Sequence, residues 1–445
     1  MASSNKNDVF GVAVAGCGTV GAATCGILTR DAKLLTERLS RPLELKYIID
    51  LDFAAARAAG LDEELFCDDL QTALDDPDVH VVAELVGGTT VAKEIVTRAL
   101  RAGKHVVTAN KALLAHHGPE LYAVARENGV SVAFEASCGG GIPIVRALID
   151  GLVANRFDAL YGIVNGTCNF ILTEMMTEGL PYDEVLAQAQ RDGLAEADPS
   201  FDVQGVDSAH KLAILASLAY GVRVDFDQIA IEGIDQLQLL DLSYGQELGY
   251  VIKLLAIATR QGDGLSLRVR PAFIWHTHPL AWVSGPFNAI SVYGHATGHT
   301  MYYGRGAGGA PTASAVVADI ASIALDEYPA AFERMGLWPD KTSPARQLPP
   351  EEIESRFYLR AMVEDRPGVL AHIAEILAES HTSISSVLQH EPPQEHSDSV
   401  PVVITTYRSR QGLMFEAIDK INALDSVHQP CVCIPIVEEH PEQFV

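Results

Sequence analysis

The stretch Phe10–Leu28, FGVAVAGCGTVGAATCGIL, decides how the first third of this chain must fold. An apolar, β-branched run leads directly into Gly16-x-Gly18-x-x-Gly21 and then into an alanine-rich segment of helical character. Strand, glycine turn and helix in that order open a dinucleotide-binding unit, because each glycine has its own mechanical task. Gly16 permits the tight turn, Gly18 lets the backbone approach a pyrophosphate, and Gly21 lets the helix pack on the sheet. The phosphates then rest on the helix N-terminus, with Thr19 and Val20 in the same cofactor loop.

Working outward, LELKYIID, VHVVAELVG, HVVTAN and VSVAFEAS follow the first strand, separated by helical patterns. Such alternation predicts a parallel sheet covered on both faces, an α/β Rossmann-type domain. The second strand ends at Asp50, placed to accept hydrogen bonds from an adenosine ribose; the polar segment RDAKLLTERLSRP stretches the spacing beyond the usual ~20 residues. A carboxylate there would repel a 2′-phosphate, which favours NAD over NADP, with nearby Arg57 as a counterweight. Two further loops fall at strand ends, where ligands bind in open α/β sheets: GGTT, with Thr89 and Thr90, and TANKALLA, with Lys111. A cation at a helix start opposes the helix dipole, so Lys111 calls for a function.

A chain of 445 residues predicts two or three domains, and 48% hydrophobic with 20% charged residues predicts globular ones. The formal charge of −26 argues against nucleic-acid or anionic-membrane partners, which need a basic face. Seven cysteines, an odd number, suggest reduced thiols rather than a disulfide framework. No long apolar segment stands at the N-terminus or elsewhere, so the expectation is a soluble, cytoplasmic protein.

The middle third reads as a separate α+β domain: helical stretches around Ile171–Arg191 and Val206–Tyr220, then extended runs such as LSLRVRPAFI and NAISVYG. PDKTSPARQLPPEEIESR looks like a linker. From Phe357 the order is strand, DRPG turn, helix, strand, strand, helix, strand, a ferredoxin-like βαββαβ module. The expected division is 1–134 plus 307–338 for the dinucleotide domain, 135–306 for a catalytic and dimerisation domain, 339–356 for the linker and 357–445 for the terminal module.

The chemistry concentrates in EADPSFDVQGVDSAHKL, Glu196–Leu212. Its acids lack the spacing of a calcium loop. Asp207 and Lys211 form an acid-before-base i,i+4 pair that, on an exposed face, contributes only about 0.3–0.5 kcal/mol. A buried structural network is another reading. The apolar run after Lys211 indicates a buried helix, however, and surplus acids beside one buried lysine make a place where a cationic substrate completes the pairing.

GCGTVG, TANKALLA, FEASCGGGIPIVRAL, IVNGTCNFIL, GLAEADPSFDVQGVDSAHKLAIL and GRGAGGAPTASAVVADI, in this order, closely resemble homoserine dehydrogenase, and the tail resembles an ACT domain. The resemblance covers nearly the whole chain, and its most specific piece is Gly193–Leu215. It implies NAD(P)-dependent interconversion of L-homoserine and L-aspartate 4-semialdehyde, in the route to threonine, methionine and isoleucine. It further implies that Lys211 shuttles the proton, with Lys111 a second catalytic lysine near the nicotinamide. Glu196, Asp207 and Asp202 match acids that hold the substrate ammonium, and Asn165, Gly166 and Thr167 match a substrate loop. Glu135, Cys138, Gly140 and Ile142 match a sodium site built mostly from backbone oxygens. Gly306 lies in a segment, Gly304–Gly308, that returns to the cofactor, so the helix after Pro311 is expected to rejoin the nucleotide domain. Asp365, Pro367 and Gly368 match an effector turn, with threonine the expected ligand and a homodimer or homotetramer the expected assembly.

Two rival functions fit parts of the sequence. Cys138 in EASCGGG could be the nucleophile of a thiol-dependent aldehyde dehydrogenase, a reading that leaves Lys211 and its acids unexplained. A non-catalytic amino-acid sensor is the other, and the complete catalytic motifs argue against it.

Overall fold

The computed structural model describes residues 9–328, 336, 338–390 and 399–441. Strands β1 (Phe10–Ala15), β2 (Leu43–Ile49), β3 (Phe66–Cys67), β4 (Val79–Glu84), β5 (His105–Thr108) and β6 (Val132–Ala133) form one parallel sheet, in the order β3-β2-β1-β4-β5-β6. All six residues of β1 are buried, as expected of a strand covered on both faces. The strand order reverses between β1 and β4, which opens a crevice at their carboxyl ends. Helices α1 (Thr19–Arg30), α2 (Val91–Arg101) and α3 (Lys111–Glu127) start from loops on that side.

The second region supplies β7 (Phe157–Ile163), α4 (Gly166–Glu178), α5 (Tyr182–Arg191), α6 (Val206–Tyr220), β8 (Ala230–Ile231), α7 (Leu239–Glu247), β9 (Tyr250–Gln261), β10 (Gly264–Trp275), β11 (Phe287–Gly294) and β12 (Gly298–Arg305). Strands β12, β11, β7, β9 and β10 pair antiparallel in that order, and α4, α6 and α7 pack on the sheet. Helix α8 (Gly309–Ala324) then packs on α1. A Cβ at Gly309 would stand 3.1 Å from the Thr19 carbonyl oxygen, so the small residue sets how closely the two helices approach.

The proline-rich stretch read as a linker is laid along the second region. Ala345 N donates to Arg223 O and Leu348 N to Leu265 O, each at 2.8 Å. Strand β13 (Glu354–Val363), α9 (Val369–Glu379), β14 (Ile384–Gln389), β15 (Val400–Thr406), β16 (Ser409–Arg410), α10 (Gln411–Asn422) and β17 (Val427–Val437) follow. Their main sheet runs β17-β13-β15-β14, and β17 pairs in parallel with β10 at Phe273↔Ile436 and Ile274↔Val437, making the terminal and middle sheets continuous. A buried ion pair reinforces this junction: Asp241 on α7 accepts from Arg360 Nε at 2.6 Å, Arg360 Nη2 at 2.9 Å and the Tyr358 hydroxyl at 3.0 Å.

Candidate active site

The cofactor loop is built as its glycines require. Gly16 has φ +95°, and its N–H donates to Ile49 O at 2.8 Å, which ties the turn to the end of β2. A Cβ at Gly21 would stand 1.9 Å from Gly16 O, whereas one at Gly18 would meet nothing within 4 Å. The space beside Gly18 therefore lies open to a ligand, at the start of α1, where Thr19 and Val20 form its first turn. Asp50 caps this loop, accepting from Cys17 N at 2.6 Å and from Leu51 N at 2.7 Å. Arg57 is engaged elsewhere, 3.1 Å from Glu63 and over the Phe66 ring.

Deeper in the crevice, buried Glu84 at the end of β4 organises two loops. It accepts from Thr108 Oγ1 at 2.7 Å and from the N–H groups of Val86 and Gly87. Asn110 Nδ2 donates to Gly88 O at 2.6 Å, drawing the loop before Thr89 and Thr90 towards the start of α3. Gly87, Gly88, Asn110, Lys111 and Phe201 line a cavity of about 390 Å³, of a size that holds a small ligand.

Lys111 is the first residue of α3, and its charge is met from the other region of the protein. Its Nζ lies 3.0 Å from Asp207 Oδ1 and 5.8 Å from the centre of the Phe201 ring. Burial alone would lower its pKa; the Asp207 carboxylate outweighs that and raises it. Lys211, one turn along α6 from Asp207, donates to Asp207 Oδ2 at 2.7 Å and to Val164 O at 2.6 Å. Asp207 thus sits between two ammonium groups, which overcome the penalty of its burial and hold its pKa well below the usual carboxylate range. This pair is buried, not the solvent-facing helix pair that would be worth little.

Asn165 gathers the rest. Its Oδ1 caps α4 by accepting from Cys168 N at 2.8 Å, while its Nδ2 donates to Asp202 at 2.7 Å and to Asp207 at 2.9 Å. Burial raises the Asp202 pKa and the nearby Asp207 charge adds to it, a deficit that an incoming cation would relieve. Gly166 has no room for a side chain, since a Cβ would stand 2.7 Å from Pro286 O; Thr167 donates to Leu194 O at 2.7 Å. Glu196 stands apart: its side chain is exposed, and it is its carbonyl oxygen that accepts from Gln190 Nε2. Asp198 accepts from Ser200 N, as a turn residue ahead of Pro199 would.

Near the lysines stands a histidine pair that the sequence leaves unmarked. His210 and His116 approach to 3.1 Å through their Nε2 atoms, and His210 stacks on Phe226; burial presses its pKa down to about 4. The two are 94 residues apart, so no local pattern announces them.

Cys138 cannot serve as a nucleophile. Its thiol is fully buried and burial pushes its pKa up to about 12. All seven cysteines are free. The Glu135–Ile142 segment turns through Gly139 and Gly140, both at positive φ. There the Glu135 carboxylate accepts from Val145 N and Arg146 N, and its carbonyl and that of Ile142 accept from Cys138 N and Ile144 N. No group of three or more metal-binding side chains occurs among the described residues. Gly306 packs between Asn288 and Gly140. In the terminal module, Asp365, Pro367 and Gly368 form an exposed turn, with Gly368 at φ +97° opening α9.

Comparison with known proteins bears on all three regions. The family model for homoserine dehydrogenase matches residues 143–321, that for the homoserine dehydrogenase NAD-binding domain 16–135, and that for the ACT domain 357–425. The chain is 44% identical over 436 residues to a homoserine dehydrogenase of Pseudomonas aeruginosa, covering 96% of this chain and 98% of that protein. The crystal structure of a homoserine dehydrogenase from Thiobacillus denitrificans superposes with a TM-score of 0.91 at 42% identity, covering 97% of this chain and 99% of that one. A hyperthermophilic archaeal homoserine dehydrogenase in complex with NADPH superposes with a TM-score of 0.60 at 26% identity, over 72% of this chain and 98% of that one.

Proposed function

The chain belongs to the homoserine dehydrogenase family and is an NAD(P)-dependent oxidoreductase acting on the CH–OH group of homoserine, and from that premise we propose how its residues divide the work. A dinucleotide held by the glycine loop would supply the hydride-acceptor chemistry, which leaves the protein to orient the substrate and move one proton. Lys211 accepts the hydroxyl proton as L-homoserine becomes L-aspartate 4-semialdehyde, and returns it in the reducing direction. Lys111, beside the cavity, contacts the substrate hydroxyl near the nicotinamide.

The observation that carries this reading is Asp207 held between Lys211 and Lys111, at 2.7 and 3.0 Å, across the seam of two regions. A substrate ammonium received by Asp202, Asp207 and Glu196 competes with Lys211 and Lys111 for the Asp207 carboxylate that holds them. That weakens the hold of a lysine on its proton when the base is needed. Gly166 and Thr167 supply the substrate loop, and Thr89, Thr90 and Gly306 complete the cofactor surround.

NAD is the preferred cofactor over NADP, supported by Asp50 at the end of β2 and by the pairing of Arg57 with Glu63. Sodium binds the loop of Glu135, Cys138, Gly140 and Ile142 through backbone oxygens, each of which keeps a lone pair beyond any hydrogen bond it accepts. Threonine acts at the Asp365–Gly368 turn as feedback inhibitor, in a cytoplasmic homodimer or homotetramer serving threonine, methionine and isoleucine synthesis. No described helix is long and apolar enough to cross a membrane. Following L-homoserine oxidation at 340 nm with NAD and NADP in parallel, with and without threonine, tests these points. Higher kcat/KM with NAD and a falling rate in millimolar threonine are expected; an NADP preference or a flat threonine curve would refute the respective proposal.

A further inference from the structure

Away from the lysine cluster, a buried cation lacks an anion among the described residues. Arg268 on β10 is 5% exposed, and its Nε and Nη1 have no hydrogen-bond partner among the described residues. Burial and the neighbouring Arg270 press its pKa down to about 10. Other buried arginines at the same junction are matched: Arg270 has Glu232 at 2.7 Å, and Arg360 has Asp241 at 2.6 Å. A guanidinium out of water without a counter-charge is strongly destabilising, so its place in the fold calls for a negative partner.

Arg268 lines a cavity of about 110 Å³ where the middle sheet meets the terminal module. Around it stand Arg260, Arg356 and Arg408, with Glu354 and Glu438 as the acids. Among the described residues, four arginines against two glutamates leave an excess of two positive charges, in a chain whose net charge is −26. The acids are also largely committed. Glu438 meets Arg356 at 3.3 Å and Arg408 at 2.9 Å, and Glu354 lies 4.0 Å from Arg410. The cations grade from a buried floor at Arg268, through Arg356 with a side chain 16% exposed, to Arg408 at 61%.

We propose that this seam is a binding site for a small oxyanion, a phosphate or the carboxylate of a small organic acid, with Arg268 as its floor. The planar fork of arginine suits both anions, and the cavity is too small for a dinucleotide. Its walls come from β9 and β10 on one side and from β13 and β17 on the other. A bound anion therefore braces the junction at which the ACT module meets the catalytic sheet. The site is separate from the exposed Asp365–Gly368 turn.

Thermal unfolding of the full chain tests this. Saturating NAD fills the glycine loop, and chloride is exchanged at constant ionic strength for phosphate in one arm and malonate in the other. The midpoint is expected to rise saturably with at least one of them, as ligand linkage requires, and the ion that acts identifies the source. Arg268→Met is expected to abolish the response, and Arg408→Gln to weaken the apparent affinity about tenfold through loss of one charge-assisted contact. Equal midpoints in all three salts, or a response that survives in Arg268→Met, would overturn the proposal. Should Arg268→Met not fold, unchanged affinity in both Arg408→Gln and Arg260→Gln, at exposed positions, would overturn it equally.

Discussion

Asp207 and Asp241 are two buried carboxylates that each bind cations across a seam of the molecule, yet they have opposite character. Asp241 is closed: one guanidinium grips both its oxygens, the Tyr358 hydroxyl adds a third bond, and Arg360 and Asp241 side chains are 2% and 0% exposed. Asp207 is oversubscribed, with two lysines and Asn165 on one carboxylate, and with Lys111 30% exposed beside the cavity. Balanced charge in a sealed place serves docking. Unbalanced charge at the edge of a cavity leaves a proton and a vacancy for chemistry.

The largest expected effect that separates them is on turnover. Lys211→Ala should lower kcat by about 10²- to 10⁴-fold, the usual share of a proton-transfer group, with dinucleotide binding retained. Arg360→Met should leave kcat per folded molecule close to wild type, and a comparable loss there would break the distinction. Next comes stability. Asp241→Ala strands a buried guanidinium and should cost about 3–5 kcal/mol in denaturant unfolding, most of it recovered in the double variant Arg360→Met with Asp241→Leu.

A pH series sharpens the contrast further. Asp207 has its pKa depressed in the folded state, so its contribution to stability is present above the unfolded carboxylate value, near 3.9, and is lost as pH falls below it. The stability gap between wild type and Asp207→Asn should accordingly be full at pH 6 and shrink below about pH 4. A gap that stays constant would mean the carboxylate is not held charged by its lysines. The smallest effect concerns Glu196: Glu196→Gln should raise KM for L-homoserine by about tenfold or less, the share of a single charge-assisted contact, with kcat little changed. An unaltered KM would remove Glu196 from the site.

The sequence carries most of the architecture because its signals are local. The glycine loop, the alternation of strands and helices and the βαββαβ order each need only neighbours in the chain, and each appears where expected. Lys211 and Asp207 are legible for the same reason, since they sit one helical turn apart. Asn165 bridging to Asp207 from 42 residues away, Glu84 receiving Thr108 from 24, and His116 meeting His210 are not, because no periodicity links such partners. Glu196 shows the converse. Its proximity in sequence to the other acids says nothing about which way an exposed turn residue faces, and its side chain lies outside the hydrogen-bonded cluster. The linker, too, is bound along the middle region through backbone hydrogen bonds, which composition cannot reveal.

The most direct test of the central claim is a single-turnover measurement of NADH formation after mixing L-homoserine with NAD-loaded enzyme, wild type against Lys211→Ala. A fast phase is expected in the wild type, collapsing in Lys211→Ala while NAD affinity, from quenching of protein fluorescence, stays the same. A fast phase of wild-type rate in Lys211→Ala would show that the proton leaves by another group and would contradict it.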